Sequence, residues 1–222
     1  MRLVVFDCDG TLVDSQQAIV ASTETALSAF GLPTPERQAI LHAVGLPVDV
    51  AMATHAPDAD EATLAQAISL FRETYQKLSQ QDDRGQIMFD GMHDLICEYG
   101  QLSQTQMAIV TMKSRRGLHR VVDAYNIRDY FQALKSADDG PGKPAPDLLL
   151  DAMRECGVSP EHTVMVGDTS FDMLMAKAAG AYAIGVAWGY QDIDELLETG
   201  ADDIAETPEK LRQILAAFPA GA

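Results

Sequence analysis

The feature that most constrains this chain is a repeated pairing: a short apolar run that stops at a polar or small residue. Leu3-Val4-Val5-Phe6 leads into Asp7, and Met107-Ala108-Ile109-Val110 into Thr111. Thr163-Val164-Met165-Val166 leads into Gly167-Asp168, and Ala183-Ile184-Gly185-Val186 into Ala187-Trp188. Short runs this continuously apolar read as strands buried on both faces. Amphipathic stretches with helix punctuation lie between them. Ser114 is expected to cap a helix through Tyr125. Pro146 opens one to Cys156, with Gly157 past its end, and Ser170 caps one to Ala179, with Gly180 as its stop. Strand alternating with helix predicts an α/β fold with a parallel sheet covered on both faces. Ligands of such sheets bind at the carboxyl ends of the strands. Asp7, Thr111 and Asp168 all fall there.

Residues 15–85 read differently, because no strand-like run occurs in them. Ser15 is expected to cap a helix through Phe30, stopped by Gly31. Thr34-Pro35-Glu36 reads as cap, first turn and acidic first turn of the next helix. Asp60 starts a long one, whose Leu64, Ile68, Phe71, Tyr75 and Leu78 form one apolar stripe, read as packing. The block is expected to be an all-helical insertion after the first strand, with Asp82-Asp83-Arg84-Gly85 as its return hinge. The end, from Phe218 to Ala222, is expected to fray.

Net charge is −17 over 222 residues. That argues against nucleic acid or an anionic membrane as partner. It also makes an anionic substrate unexpected unless a metal and a few focused cations reverse the sign locally. Cys8, Cys97 and Cys156 are widely spaced, with no CxxC pair, which fits a reducing compartment and reduced thiols in the core. The N-terminal apolar run is too short for a signal peptide, and no run reaches transmembrane length, so a cytoplasmic protein is expected.

Asp7-Cys8-Asp9-Gly10-Thr11 is where chemistry concentrates. Alternation along a strand sends Asp7 and Asp9 to one side, and paired carboxylates at a buried strand end need a cation, a proton-transfer role, or both. Cys8 points the other way, as a buried thiol. Later pieces complete the set: Thr111, Gly142-Lys143-Pro144 and Gly167-Asp168-Thr169-Ser170-Phe171-Asp172. With the opening extended to Leu12-Val13-Asp14-Ser15, the order of these motifs resembles the haloacid dehalogenase (HAD) superfamily, subfamily IA. The match runs from Met1 to about Val186. The resemblance implies a Rossmann-like parallel-sheet core over residues 1–14 and 86–222, with a small helical cap domain over 15–85.

Each piece then has a physical role. A carboxylate nucleophile splits phosphoester hydrolysis into two steps through an aspartyl phosphate, and the resemblance puts Asp7 in that position. Asp9 is the candidate to protonate the leaving alcohol and then activate water. Thr111 offers a hydroxyl, and a backbone N–H, to a phosphoryl oxygen. Lys143 supplies a point charge. Oxygen-rich ligands suit magnesium. The candidate set is Asp7, Asp9 through its carbonyl by resemblance, Asp168 and Asp172. Family members often follow the Thr with Asn-Lys; here Met112 precedes Lys113.

Asp9 argues against the dehalogenase branch, and Gly10-Thr11 against the phosphoglucomutase-like branch. Lys77, the only lysine of the insertion, argues against a Schiff-base mechanism. Gly185-Val186-Ala187-Trp188-Gly189-Tyr190, with Glu195-Leu196-Leu197 and Gly200-Ala201-Asp202, is similar to the phosphoglycolate phosphatase group. The expected activity is magnesium-dependent hydrolysis of a small phosphorylated metabolite, by a monomer or homodimer. A β-phosphoglucomutase-like phosphotransferase or a pyrophosphatase is the alternative. A HAD-fold interaction protein would have lost a chemical residue, and none is lost. Val44-Gly45-Leu46-Pro47 is the candidate specificity loop.

Overall fold

The computed structural model describes residues 1–80 and 86–219. The predicted hinge Asp82 to Gly85 lies outside them. Strands β1 (Arg2–Phe6), β4 (Thr105–Val110), β5 (Ala133–Lys135), β6 (Thr163–Gly167), β7 (Tyr182–Val186) and β8 (Asp203–Ala205) form a parallel sheet in the order β5-β4-β1-β6-β7-β8. From β1 the chain builds outward on one side through β4 and β5, then on the other through β6, β7 and β8. The reversal at β1 is a topological switch point, where α/β sheets open a crevice at their carboxyl edge.

Side-chain alternation explains why the strands are continuously apolar. Val4, Phe6, Met107, Ile109, Val164, Val166, Ile184 and Val186 point to one face. There they meet α5 (Met92–Gly100), α6 (Arg115–Ala124) and α10 (Pro208–Ala217). Leu3, Val5, Ala108, Val110, Met165 and Ala183 point to the other, against α7 (Asp147–Cys156), α8 (Ser170–Ala179) and α9 (Ile193–Glu198). Each large aliphatic side chain so covered contributes about 1.5–3 kcal/mol.

The chain leaves the sheet through β2 (Val13–Asp14) and returns through β3 (Ile87–Met88), which pair antiparallel. Between them lie α1 (Gln16–Ala29), α2 (Arg37–His42), α3 (Val48–His55) and α4 (Glu61–Leu78). Ala26, Leu27, Met52, Ala56 and Ala67 form their small core, with Leu64, Ile68 and Phe71 half-buried around it.

Several local expectations shift. α2 starts at Arg37 with Glu36 extended at its N-cap, so Thr34 and Pro35 precede the helix. Thr34 instead meets the Ser28 hydroxyl. Ser15 sits at the N-cap of α1 without capping it, and Asp14 accepts the Gln16 N–H. α8 is capped by Thr169, one residue earlier than expected, in a capping box with Asp172. Phe218 docks against Tyr182, and its carbonyl accepts from Arg2, so this residue of the expected frayed end is held. Cys8 and Cys156 are buried, whereas Cys97 is only half-buried beside His93.

Candidate active site

Register brings the motifs to one edge. Phe6 lies opposite Ile109 on one side and Val166 on the other, so Asp7, Thr111 and Asp168 emerge together. The Asp7 N–H extends the ladder by donating to the Val166 carbonyl at 2.9 Å.

Asp7 is buried, and Lys143 Nζ donates to its Oδ1 at 2.5 Å. The same ammonium lies 2.7 Å from Asp172 Oδ1. The other oxygen of Asp172 accepts from the Thr169 N–H at 3.1 Å and hydroxyl at 2.7 Å, so it caps α8 and pairs Lys143 at once. Asp168 is held by the Thr11 hydroxyl at 2.9 Å and the Tyr190 N–H at 3.0 Å. One carboxylate oxygen from each of Asp7, Asp168 and Asp172 lies within 4.8 Å of the others. Lys143 pairs with two of these three buried carboxylates, Asp7 and Asp172.

The electrostatics follow from that imbalance. Burial pushes Asp7 up to about 6, against the opposing pull of Lys143. Burial, then Asp7 and Asp172, drives Asp168 well above the carboxylate range. Burial works against the Lys143 charge, but Asp172 and Asp7 more than offset it and raise its pKa. A further cation relieves the repulsion, and an all-oxygen donor set fits magnesium. Glycine makes the packing around Asp168 possible. A Cβ on Gly10, whose φ is +89°, would lie 2.1 Å from Asp168 Oδ2, and one on Gly189 would lie 2.1 Å from Asp168 Cβ.

Asp9 belongs to a second cluster. Its Oδ1 accepts from Lys113 Nζ and from the Ser15 hydroxyl, both at 2.5 Å, and from the Tyr75 hydroxyl at 3.4 Å. Lys113 also donates to Tyr75 at 2.7 Å. Burial opposes the Lys113 charge, but Asp9 and Tyr75, with Cys8, together outweigh it and raise the lysine above its usual range. Thr111 is buried, and its backbone N–H is not available to a ligand, because it donates to the Lys135 carbonyl at 3.0 Å. Its hydroxyl accepts the Lys113 N–H at 3.2 Å and keeps a proton to donate.

Asp7, Asp9 and Thr111 line a cavity of about 440 Å³, walled on the far side by α1, the 44–47 loop, α3 and α4. Lys143, Asp168 and Asp172 are not among its walls. Lys113, Tyr75 and Ser15 are members of the Asp9 cluster that the motif reading did not name as site residues. Lys113 had a signal, two residues past Thr111. Tyr75 was hidden in an apolar stripe, and Ser15 in a capping pattern. The segment from Trp188 to Tyr190 gains a physical role: Trp188 donates to the Thr11 carbonyl at 3.1 Å, and the Tyr190 hydroxyl accepts the Ser15 N–H at 2.9 Å.

Residues 4–186 match the profile of the haloacid dehalogenase-like hydrolases. A probable phosphatase, IndB, of Dickeya dadantii is 36% identical over 92% of this chain and 89% of its own. A phosphoglycolate phosphatase of Pseudomonas putida is 32% identical over 85% of this chain and 70% of its own. A solved hydrolase of Pseudomonas syringae superposes with a TM-score of 0.85 at 25% identity, covering 98% of both chains. Profile, relatives and sheet topology agree, and this chain belongs to the haloacid dehalogenase-like hydrolase family.

Proposed function

We propose that this chain is a magnesium-dependent phosphatase that hydrolyses a small phosphorylated metabolite through an aspartyl phosphate on Asp7. The observation that carries this reading is the Asp7 carboxylate at the cavity floor, backed by Lys143 and by two further buried carboxylates. The relatives named as phosphatases support it, and the phosphoglycolate phosphatase among them supports phosphoglycolate as a substrate to test.

Asp7 and Asp168 would hold magnesium, with Asp172 beside them and the Asp9 carbonyl as a further donor. When bound, the ion supplies Lewis-acid charge that screens the phosphoryl group from Asp7. In the first step an Asp7 oxygen bonds to phosphorus while the ester P–O bond breaks. Asp9 gives its proton to the departing alkoxide. In the second, water bonds to phosphorus as its proton passes to Asp9. The Asp7–phosphorus bond breaks, phosphate leaves and Asp7 is restored. Lys143 and the Thr111 hydroxyl stabilise the charge that develops on the phosphoryl oxygens. Ser15 and Lys113 fix the Asp9 carboxylate, and an arriving phosphoryl group gives Lys113 a second anion to balance.

We take residues 15–85 as a cap over a core of 1–14 and 86–222, since α1, the 44–47 loop and α4 roof the cavity. Among the described residues no helix is long and apolar enough to cross a membrane. The three free thiols favour a cytoplasmic setting. The test is phosphate release from an aryl phosphate and from phosphoglycolate, with magnesium and with EDTA. Release that needs magnesium is expected; equal release in EDTA, or none in either, overturns the reading.

A further inference from the structure

The cavity has a second charged region that the hydrolytic mechanism does not use. Arg72 on α4 and Arg116 and Arg120 on α6 line it. In this acidic chain most described lysines and arginines are paired with a carboxylate. These three are not. Arg120 donates only to the Ser79 hydroxyl at 2.7 Å, and Arg72 and Arg116 have no hydrogen-bond or ion-pair partner among the described residues. Asp49 and Asp138 also border the cavity, and Asp138 is engaged by the Arg115 N–H.

Their placement is not what helix stability selects. Arg116 stands in the first turn of α6, the end whose dipole disfavours cations. Leu118, Val121 and Val122 turn the opposite side of that helix to the core. Arg116 and Arg120 are four apart and share the cavity face with Lys113 and Gly117. At helical rise Arg120 lies about 6 Å beyond Arg116 along α6. On α4, Arg72, Tyr75, Gln76 and Ser79 form the facing row. Val44, Leu46, Met52, Phe71 and Met112 also line the cavity. The cavity thus combines the Asp7 and Asp9 carboxylates, apolar walls and three arginines from α4 and α6, two elements that meet through Tyr75–Lys113 and Ser79–Arg120.

Building on the phosphatase reading, we propose that the preferred substrate carries a second phosphate group, joined to the scissile one by an organic spacer and bound between α4 and α6 by Arg72, Arg116 and Arg120. Three guanidinium groups exceed what one carboxylate engages in a bidentate pair, and they suit the oxygens of a doubly charged phosphate. The spacer rests on the apolar walls.

The test uses matched pairs of α,ω-alkanediol monophosphates and bisphosphates of increasing spacer length. For the best spacer, the bisphosphate is expected to exceed the monophosphate in kcat/KM by about tenfold or more beyond the twofold statistical factor. In Arg116→Gln/Arg120→Gln that ratio falls towards the statistical value, and Arg116→Lys/Arg120→Lys retains part of it. A merely structural role lowers both substrates together and leaves the ratio unchanged, which overturns the proposal. So does a statistical ratio in the unmodified enzyme, or an equal gain when the second phosphate is replaced by a carboxylate. Calorimetric binding of the same pairs to Asp7→Asn decides the matter without turnover. A preference for the bisphosphate that the arginine changes remove supports the site, even if no ester is hydrolysed and the phosphatase reading fails. Equal binding of both members of every pair overturns it.

Discussion

Lys143 holds two carboxylates at once, and the consequences of removing either one differ. Asp7→Asn keeps the shape of the pair and removes the proposed nucleophile. Its kcat for an aryl phosphate is expected to fall by more than about a thousandfold, with an unchanged circular dichroism spectrum; near-normal turnover contradicts the assignment. Asp172→Ala removes a partner of the buried lysine together with the acceptor of the Thr169 capping bonds. Breaking a buried pair in this way costs about 3–5 kcal/mol, so urea unfolding should show a loss of that order, while Asp172→Asn, which keeps an acceptor for the cap, should lose less. Asp7, Thr111 and Asp168 are legible as one sheet edge because each follows an apolar run. That one Asp172 oxygen serves the helix and the other the lysine is not legible there, since that division depends on how α8 leaves β6.

At the scale of elements, α4 is the clearest departure from its pattern. Leu64, Ile68 and Phe71 of its apolar stripe pack against the small helical core as expected, but the stripe carries Tyr75 past that core, and its hydroxyl bonds Lys113 beside Asp9. Hydrophobic period locates a helical face; it cannot separate an aromatic that packs from one whose polar tip reaches a neighbour. Tyr75→Phe should therefore lower kcat by about tenfold through loosened positioning of the acid, with stability changed by only about 1 kcal/mol. A fall in stability without an effect on kcat would return Tyr75 to a packing role. The 44–47 loop, the candidate specificity loop, lines the cavity. Its geometry adds a constraint: Gly45 has φ +98°, and a Cβ there would approach Thr169 Oγ1 to 2.8 Å and Phe171 to 3.1 Å. Gly45→Ala is expected to displace the loop and raise KM for extended substrates more than for a small aryl ester. A uniform loss across substrates would count against a role in selection. Short β2, β3, β5 and β8 gave no readable signal, because two or three residues hold no period and form strands only through their neighbours.

For the whole molecule, the excess of buried carboxylates ties stability to pH and metal together. Asp7 and Asp168 both ionise less readily in the fold than in the unfolded chain. Without metal, the stability from their protonated forms is complete below the unfolded carboxylate range and is lost as pH rises through about 6, the folded value for Asp7. In EDTA, Tm should therefore gain a downward contribution between about pH 4 and about pH 7 that Asp7→Asn reduces. Saturating magnesium should remove it, since a ligand bound only by the folded state raises Tm. A magnesium-independent Tm at neutral pH would contradict the metal site. The α/β class and the position of the insertion were legible from the alternation of runs and its interruption after the first motif. The strand order was not, because parallel neighbours are chosen by crossover packing rather than by local sequence. That order also sets when the catalyst comes into being. Residues are synthesised from the nucleophile onward, yet β1 lies in the middle of the sheet and gains β4 long before β6. A chain emerging from the ribosome as far as β5 holds Asp7, Asp9 and the four helices of the insertion, but neither Lys143 nor Asp168. The proposed catalytic centre therefore assembles only once β6 and α8 have joined the sheet, so phosphate release would report on docking of the second half of the fold.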